Sequence, residues 1–356
     1  MTAAQSQIED NAAAREALGT LTSPADAGPA ADTVAVDSPD LGPARTLDDC
    51  EKDPSTLANC GPARDFVGIQ AWLNTPDGKA LTLEALRGRV VLVDFWTYSC
   101  INCQRTLPYL AAWDTKYRDK GLTIVGVHSP EFAFEHEVGN VADQAARLGV
   151  TYPIAIDNDF KTWRAYDQRF WPAHYLIDRN GAVRQVHYGE GSYDQTEALI
   201  RQLLDQKAPD AATVVADGAA AVTPVMLAGT TPETYLGSER ANAYANPDLV
   251  GGSTHTYEAP ATVPPDGVAL DGEWTIGPES ITAGDKARLE LRYTANTVFL
   301  VLGCEGSIEV NVDGKAQTID VHGSPTLYTL DKAARHDALL TVNASPGVAA
   351  YAFTFG

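Results

Sequence analysis

VVLVDFWTYSCINCQRTLPYL, residues 90–110, is the stretch on which the fold turns. Its opening, Val90 to Trp96, is an apolar run broken only by Asp94. Such a run is the pattern of a strand buried on both faces. After a short polar turn the period changes, and Leu107, Leu110, Trp113 and Tyr117 recur on one side of a helix. Cys100-Ile101-Asn102-Cys103 joins the two elements, so the first cysteine falls at a helix N-terminus. Two intervening residues let the sulfurs meet on the first helical turn. Free N–H groups and the helix dipole stabilise a thiolate there; it attacks a disulfide, and the second cysteine resolves the mixed disulfide. This geometry makes Cys100 the exposed nucleophile and Cys103 the buried resolving thiol. A CxxC pair is also half of many zinc sites, but Cys50 and Cys60, with nine residues between them, are a poor second pair. No metal is expected, and redox chemistry is the stronger reading.

Outward from this segment, strands and helices alternate from Phe66 to about Gln206. TPDG (75–78) predicts a hairpin turn, and LTLEALRG (81–88) a short helix ended by Gly88. LTIVGVHS (122–129) reads as a second buried strand, VADQAARLG (141–149) as a helix and TYPIAI (151–156) as a strand. AHYLID (173–178) and AVRQVHY (182–188) predict a hairpin, and TEALIRQLLDQ (196–206) a closing helix. The alternation indicates an α/β fold.

Upstream, residues 1–20 predict a short amphipathic helix with Ile8, Ala12, Arg15 and Leu18 at helical spacing, and 22–45 read as linker. Cys50 and Cys60 bracket a polar loop and read as a structural disulfide, with a second redox pair as the alternative. Such a disulfide fits an oxidising compartment. Downstream, 207–223 read as a second linker, after which helical periodicity disappears. Ala287, Leu289, Leu291 and Tyr293 share one strand face, as do Ile308, Val310 and Val312, and Asp313-Gly314 marks a hairpin turn. Short strands and an aromatic ending, YAFTF, predict an all-β sandwich. The chain thus divides into an N-terminal extension with the Cys50/Cys60 pair (1–62), an α/β domain (63–206), a linker (207–223) and a β-sandwich (224–356).

Forty-seven acidic residues against 26 basic ones give a net charge of -21, which repels phosphate backbones and excludes nucleic acid as a natural partner. No apolar run reaches the roughly 20 residues of a membrane-spanning helix. The start lacks the basic and apolar regions of a signal peptide. Five cysteines leave one without an obvious partner; Cys304, after the apolar run VFLVLG, is expected to be a buried inert thiol.

Residues 66–206 resemble the thioredoxin-like proteins, especially the extracytoplasmic reductases that maintain cytochrome c and other periplasmic thiols. The resemblance implies a thioredoxin fold with no cofactor. It matches Asp94 to the family's buried aspartate, which takes the proton of the resolving cysteine. A buried carboxylate of raised pKa suits that task on physical grounds as well. Trp96 matches the tryptophan beside the cysteines. Trp171-Pro172 matches the family's cis-proline segment, which faces the disulfide and leaves backbone open for a substrate strand. Two positions depart from the pattern. The glutamate usual three residues after the second cysteine is Thr106, with Glu131 as a candidate replacement, and the lysine that partners the buried aspartate falls at Gly126.

A more extensive resemblance is to the soluble part of DipZ-type proteins, in which WxYSCINCQR, GVHxPEFxFE and WPAxYLID recur. It covers nearly the whole chain, including the C-terminal domain, which resembles jelly-roll carbohydrate-binding modules. The resemblance implies an extracytoplasmic location, protein disulfides as substrates, and a membrane-embedded electron donor of the CcdA type to which the full-length protein is tethered. The start of the sequence fits an excised fragment of such a protein. Trp274, Tyr257 and Tyr293 are the candidates for stacking on a glycan, although at these spacings aromatic residues more often fill a core. Two other functions compete. A peroxiredoxin-like peroxidase would use Thr97, three residues before Cys100, but has Val93 where its motif needs proline. A glycan-binding or scaffold protein would carry the thioredoxin domain as an accessory.

Overall fold

The computed structural model describes residues 45–52, 55–205 and 229–356, which fall into two compact units divided at residues 224 and 225. The expected helix at 1–20, most of the linker at 22–45 and the linker at 207–223 lie outside the described residues.

The first unit has strands β1 (Ala71–Leu73), β2 (Val90–Trp96), β3 (Leu122–His128), β4 (Ile154–Ile156), β5 (Ala173–Ile177) and β6 (Val183–Tyr188). Its helices are α1 (Leu47–Glu51), α2 (Ile101–Tyr117), α3 (Val138–Arg147), α4 (Lys161–Ala165) and α5 (Tyr193–Leu203). The six strands form one sheet in the order β1-β4-β3-β2-β5-β6. The apolar run of 90–96 is central, parallel to β3, antiparallel to β5 and buried at every residue. Its alternation sorts the core into two layers. Val91, Val93 and Phe95 join Trp163, Tyr166 and Tyr175 on one face. Val90, Leu92 and Trp96 join Leu107, Leu110 and Trp113 of α2 and Leu199 and Ile200 of α5 on the other. Asp94, between Leu92 and Trp96, points to the α2 and α5 side.

Two expectations are corrected. TPDG does not close a hairpin: Pro76–Gly78 make one tight turn, and β1 pairs with β4, Trp72 opposite Ala155. LTLEALRG makes turns rather than a helix, with one helical-type bond, Leu86 N to Thr82 O at 3.1 Å. The segment carrying Cys50 and Cys60 packs into this unit. The two cysteines are bonded and buried, and their loop lies along β6, with Ala58 N donating to Arg184 O at 2.8 Å and Cys60 N to Val183 O at 2.9 Å. It covers an edge that would otherwise expose unpaired backbone. No helix among the described residues is long and apolar enough to cross a membrane.

The second unit is all-β: β7 (Thr234–Tyr235), β8 (Thr254–Tyr257), β9 (Val268–Ile276), β10 (Ile281–Ala283), β11 (Arg288–Gly303), β12 (Gly306–Val312), β13 (Lys315–Val321), β14 (Thr326–Ala344) and β15 (Ala349–Phe355). They form a nine-stranded antiparallel sheet. β11 wraps it, pairing with β9 through Arg288–Leu291 and with β15 from Val298 onward. Leu289, Leu291, Ile308 and Val310 face one core. Asp313 and Gly314, both at positive φ, link β12 to β13 in the two-residue turn that such a pair favours.

Two further readings change here. Tyr257, Trp274 and Tyr293 are buried at 6%, 1% and 0% exposure, so no ring face is open to a sugar. Inward strand positions put them there, and their polar ends are satisfied internally, as in Trp274 Nε1 to Asp271 O at 3.0 Å. Cys304 is exposed rather than buried: the apolar strand ends at Gly303, and Cys304 takes a left-handed turn conformation at φ 68°.

Candidate active site

β2 delivers the chain to the cysteines. Cys100 is the N-cap of α2 and accepts the first helical bond, Gln104 N to Cys100 O at 3.0 Å. It is partly exposed, whereas Cys103, one turn further on, is 1% exposed and lies among the apolar side chains of α2. Burial, reinforced by a hydrogen bond with Cys100, pushes the Cys103 thiol well above the ordinary range. Beneath it, Asp94 is 1% exposed, and burial raises its carboxyl while the neighbouring His174 opposes the rise. The raised carboxyl makes Asp94 a stronger proton acceptor than an exposed carboxylate, which is what taking the Cys103 proton requires.

The family lysine has no room in this fold. Gly126 stands opposite Asp94 on β3, and a Cβ there would lie 2.8 Å from Trp96 Nε1 and 3.2 Å from the Tyr152 ring. Trp96 is fully buried and meets His128 edge-on. Nor is there an acid three residues after the second cysteine: Thr106 is buried, its hydroxyl donating to Asn102 O at 2.9 Å and lying 3.1 Å from Tyr193 Oη. The Trp171-Pro172 bond is cis and leads directly into β5. The Trp171 ring lies 4.4 Å from that of Trp163.

Two features were not singled out from sequence. Glu135 is fully buried and clamps the loop before Cys100, accepting from Ser99 N at 3.1 Å and Ser99 Oγ at 2.7 Å. It also accepts from Glu131 N at 2.6 Å and Phe132 N at 3.1 Å. Burial, with a contribution from Glu131, pushes Glu135 up to about 6. Glu131, the candidate replacement acid, is half-buried and offers its own N–H to Glu135. The second glutamate of PEFxFE was the available signal. Arg105 is the other feature. Its guanidinium forks onto Glu190 at 2.8 and 2.7 Å and bonds Asn102 Oδ1 at 2.6 Å. Burial alone would lower its proton affinity, but the Glu190 bond holds it above the ordinary value. A partner 85 residues away left no local trace in the sequence.

Residues 61–204 match the redoxin family, and residues 231–356 match the family described as thioredoxin like C-terminal domain. Among curated relatives, protein DipZ of Mycobacterium tuberculosis is 41% identical over 314 residues, covering 87% of this chain and 45% of DipZ. The chain therefore spans about half the length of the DipZ proteins it matches. Thiol-disulfide oxidoreductase ResA of Bacillus thuringiensis is 30% identical over 127 residues, covering 36% of this chain and 70% of ResA. Among solved structures, a thiol-disulfide isomerase from Corynebacterium glutamicum is 25% identical, with TM-score 0.34, covering 42% of this chain and 99% of that one. The cysteine pair on its strand and helix, with these relatives, makes the chain a member of the thioredoxin-like thiol–disulfide oxidoreductases, similar to DipZ across most of its length.

Proposed function

We propose that this chain reduces protein disulfides outside the cytoplasm, using electrons received from a membrane-embedded donor of the CcdA type. The observation that carries the reading is the contrast between the two thiols: Cys100 partly exposed at the N-cap of α2, Cys103 buried one turn behind it. The Cys100 thiolate attacks one sulfur of the substrate disulfide and expels the other as a thiolate. Cys103 then gives its proton to Asp94 and attacks the Cys100 sulfur. That step closes the Cys100–Cys103 disulfide and frees the second substrate thiolate. The substrate gains two electrons and the pair loses two, which the donor restores.

The Cys50–Cys60 disulfide supports an oxidising compartment. The likeness to DipZ supports the donor, and Asp94 under Cys103 supports the base. Equilibrating the Cys100–Cys103 couple with glutathione or dithiothreitol tests the direction. A reduction potential of about -250 mV or lower is expected, whereas one near about -120 mV would mean that the chain introduces disulfides. A Cys103→Ser variant should accumulate the mixed disulfide on Cys100; a Cys100→Ser variant that accumulates it on Cys103 instead would reverse the roles.

A further inference from the structure

Asp94, His174 and His187 occupy matched positions on three adjoining strands. Asp94 stands opposite His174 in the β2–β5 register, and His174 opposite His187 in the β5–β6 register. Gln185, two residues before His187 and so on the same face of β6, lies 3.4 Å from Thr196 of α5. The row therefore runs beneath the helices, on the Cys103 side of the sheet. His174 Nε2 is 3.3 Å from Asp94 Oδ1, and the two imidazole rings are 6.1 Å apart between centroids, inclined at 32°. That gap is one a bridging water or a small ring movement spans.

The row leads outward. Exposure is 1% at Asp94 and His174 and 7% at His187 on the edge strand. The His187 ring is hydrogen-bonded by backbone at Glu190 and Gly191, in the turn that enters α5. Apart from the contact between Asp94 Oδ1 and His174 Nε2, Asp94 Oδ2, His174 Nδ1 and His187 Nε2 lack a hydrogen-bond partner among the described residues. A sheet interior would hold valine or leucine here more cheaply, since each unpaired buried polar group costs free energy and calls for an explanation. The other titratable groups around the row are Cys103 and Tyr152 next to Asp94, and Glu190 at the outer end, where Arg105 holds it.

We infer that His174 and His187 are positioning and proton-carrying residues that pass the proton of Cys103 from Asp94 to solvent at the Glu190–Gly191 turn. The inference rests on the reading of Asp94 as the acceptor of that proton. As Cys103 attacks Cys100, its proton goes to Asp94; His174 takes it at Nε2, His187 receives one in turn, and His187 releases one to water. Reduction of the pair runs the row backwards. No electron passes along it.

The test uses the reduced full chain carrying Cys304→Ser, because the exposed Cys304 would add its own signal. Reaction with dithiobis(nitrobenzoate) releases one thionitrobenzoate when Cys100 attacks and a second when Cys103 displaces it. His174→Gln and His187→Gln should leave the first release unchanged and slow the second by about tenfold or more. Added imidazole should restore the second release in His187→Gln, the outermost of the three positions on the edge strand. Wild-type second release in both folded variants overturns the relay, as does a slowed His187→Gln that imidazole does not rescue. If His174→Gln does not fold, His187→Gln and its rescue decide alone. Asp94→Asn separates the two readings: slow in Asp94→Asn but fast in the histidine variants removes only the relay, and fast in all three removes Asp94 as the base as well.

Discussion

Replacing Glu135 by glutamine tests how the loop in front of the cysteines is held. The side chain is fully buried and accepts from Ser99 N, Ser99 Oγ, Glu131 N and Phe132 N. Glutamine keeps the shape but turns an amide donor toward one pair of these donors, a mismatch of about 1–3 kcal/mol. The charge adds a pH dependence that glutamine lacks. The rise of Glu135 from 4.5 to about 6 corresponds to about 2 kcal/mol of preference for the protonated form in the folded state. Because the folded value is raised, the folded state binds the proton more tightly than the unfolded state does. That stabilisation is complete below about pH 4.5 and is lost as the pH climbs through about 6. Wild type should therefore exceed Glu135→Gln in stability most at low pH, and the gap should narrow by about 2 kcal/mol between about pH 4 and pH 7.5. Urea unfolding followed by tryptophan fluorescence reads the relevant unit, since five of the six tryptophans precede residue 172. Asp157, pushed up to about 7 by burial, titrates in both proteins and cancels in the difference. A gap that stays constant or widens with pH would refute the assignment of the raised carboxyl to Glu135.

Cys50→Ser should cost about 3 kcal/mol in urea unfolding, given the 10-residue separation of its disulfide, and leave disulfide-reducing turnover intact. Lost turnover in a folded variant would make the pair an electron relay instead. Gly126→Ala should destabilise by about 1–3 kcal/mol, because the new Cβ meets Trp96 Nε1 at 2.8 Å and the Tyr152 ring at 3.2 Å, neither able to yield easily. That outweighs the about 0.5–1 kcal/mol alanine otherwise gains over glycine in a strand. A midpoint equal to or above wild type would mean that the space beside Asp94 is not filled as described.

The central strand, the cysteine pair and α2 were legible because their signals are local: a buried run, a change of period and a two-residue spacing. The Asp313-Gly314 turn was legible for the same reason. What was misread depended on partners far along the chain. TPDG has genuine turn chemistry, but the strand that pairs with β1 lies some eighty residues later, so the turn joins no hairpin. Glu135 lies 36 residues beyond Ser99 and becomes part of the site only when the fold brings the two together. Trp274 shows the opposite case: its neighbours Glu273 and Thr275 alternate with it, so its inward direction is readable, and the core placement favoured at such spacings prevails over the analogy with sugar-binding modules. Cys304 was assigned to the core by the apolar residues before it, yet one residue past Gly303 the backbone has already turned to solvent.

The two departures from the family pattern have a joint consequence for Asp94. On the β3 side, the room a lysine would take is filled by the Trp96 indole and the Tyr152 ring, so no cation stands there to draw the carboxyl down. On the helix, the place of the glutamate is held by a threonine whose hydroxyl is engaged with Asn102 and Tyr193, neither of which carries charge. Asp94 is thus left with burial as the dominant influence and His174 as the neighbour that opposes it. A proton arriving from Cys103 meets packed aromatic rings toward β3 and a row of titratable side chains toward β5 and β6. The substitutions that remove the family's partners therefore also fix the side on which a replacement path can run, and that side ends at the edge strand, where His187 meets the Glu190–Gly191 turn.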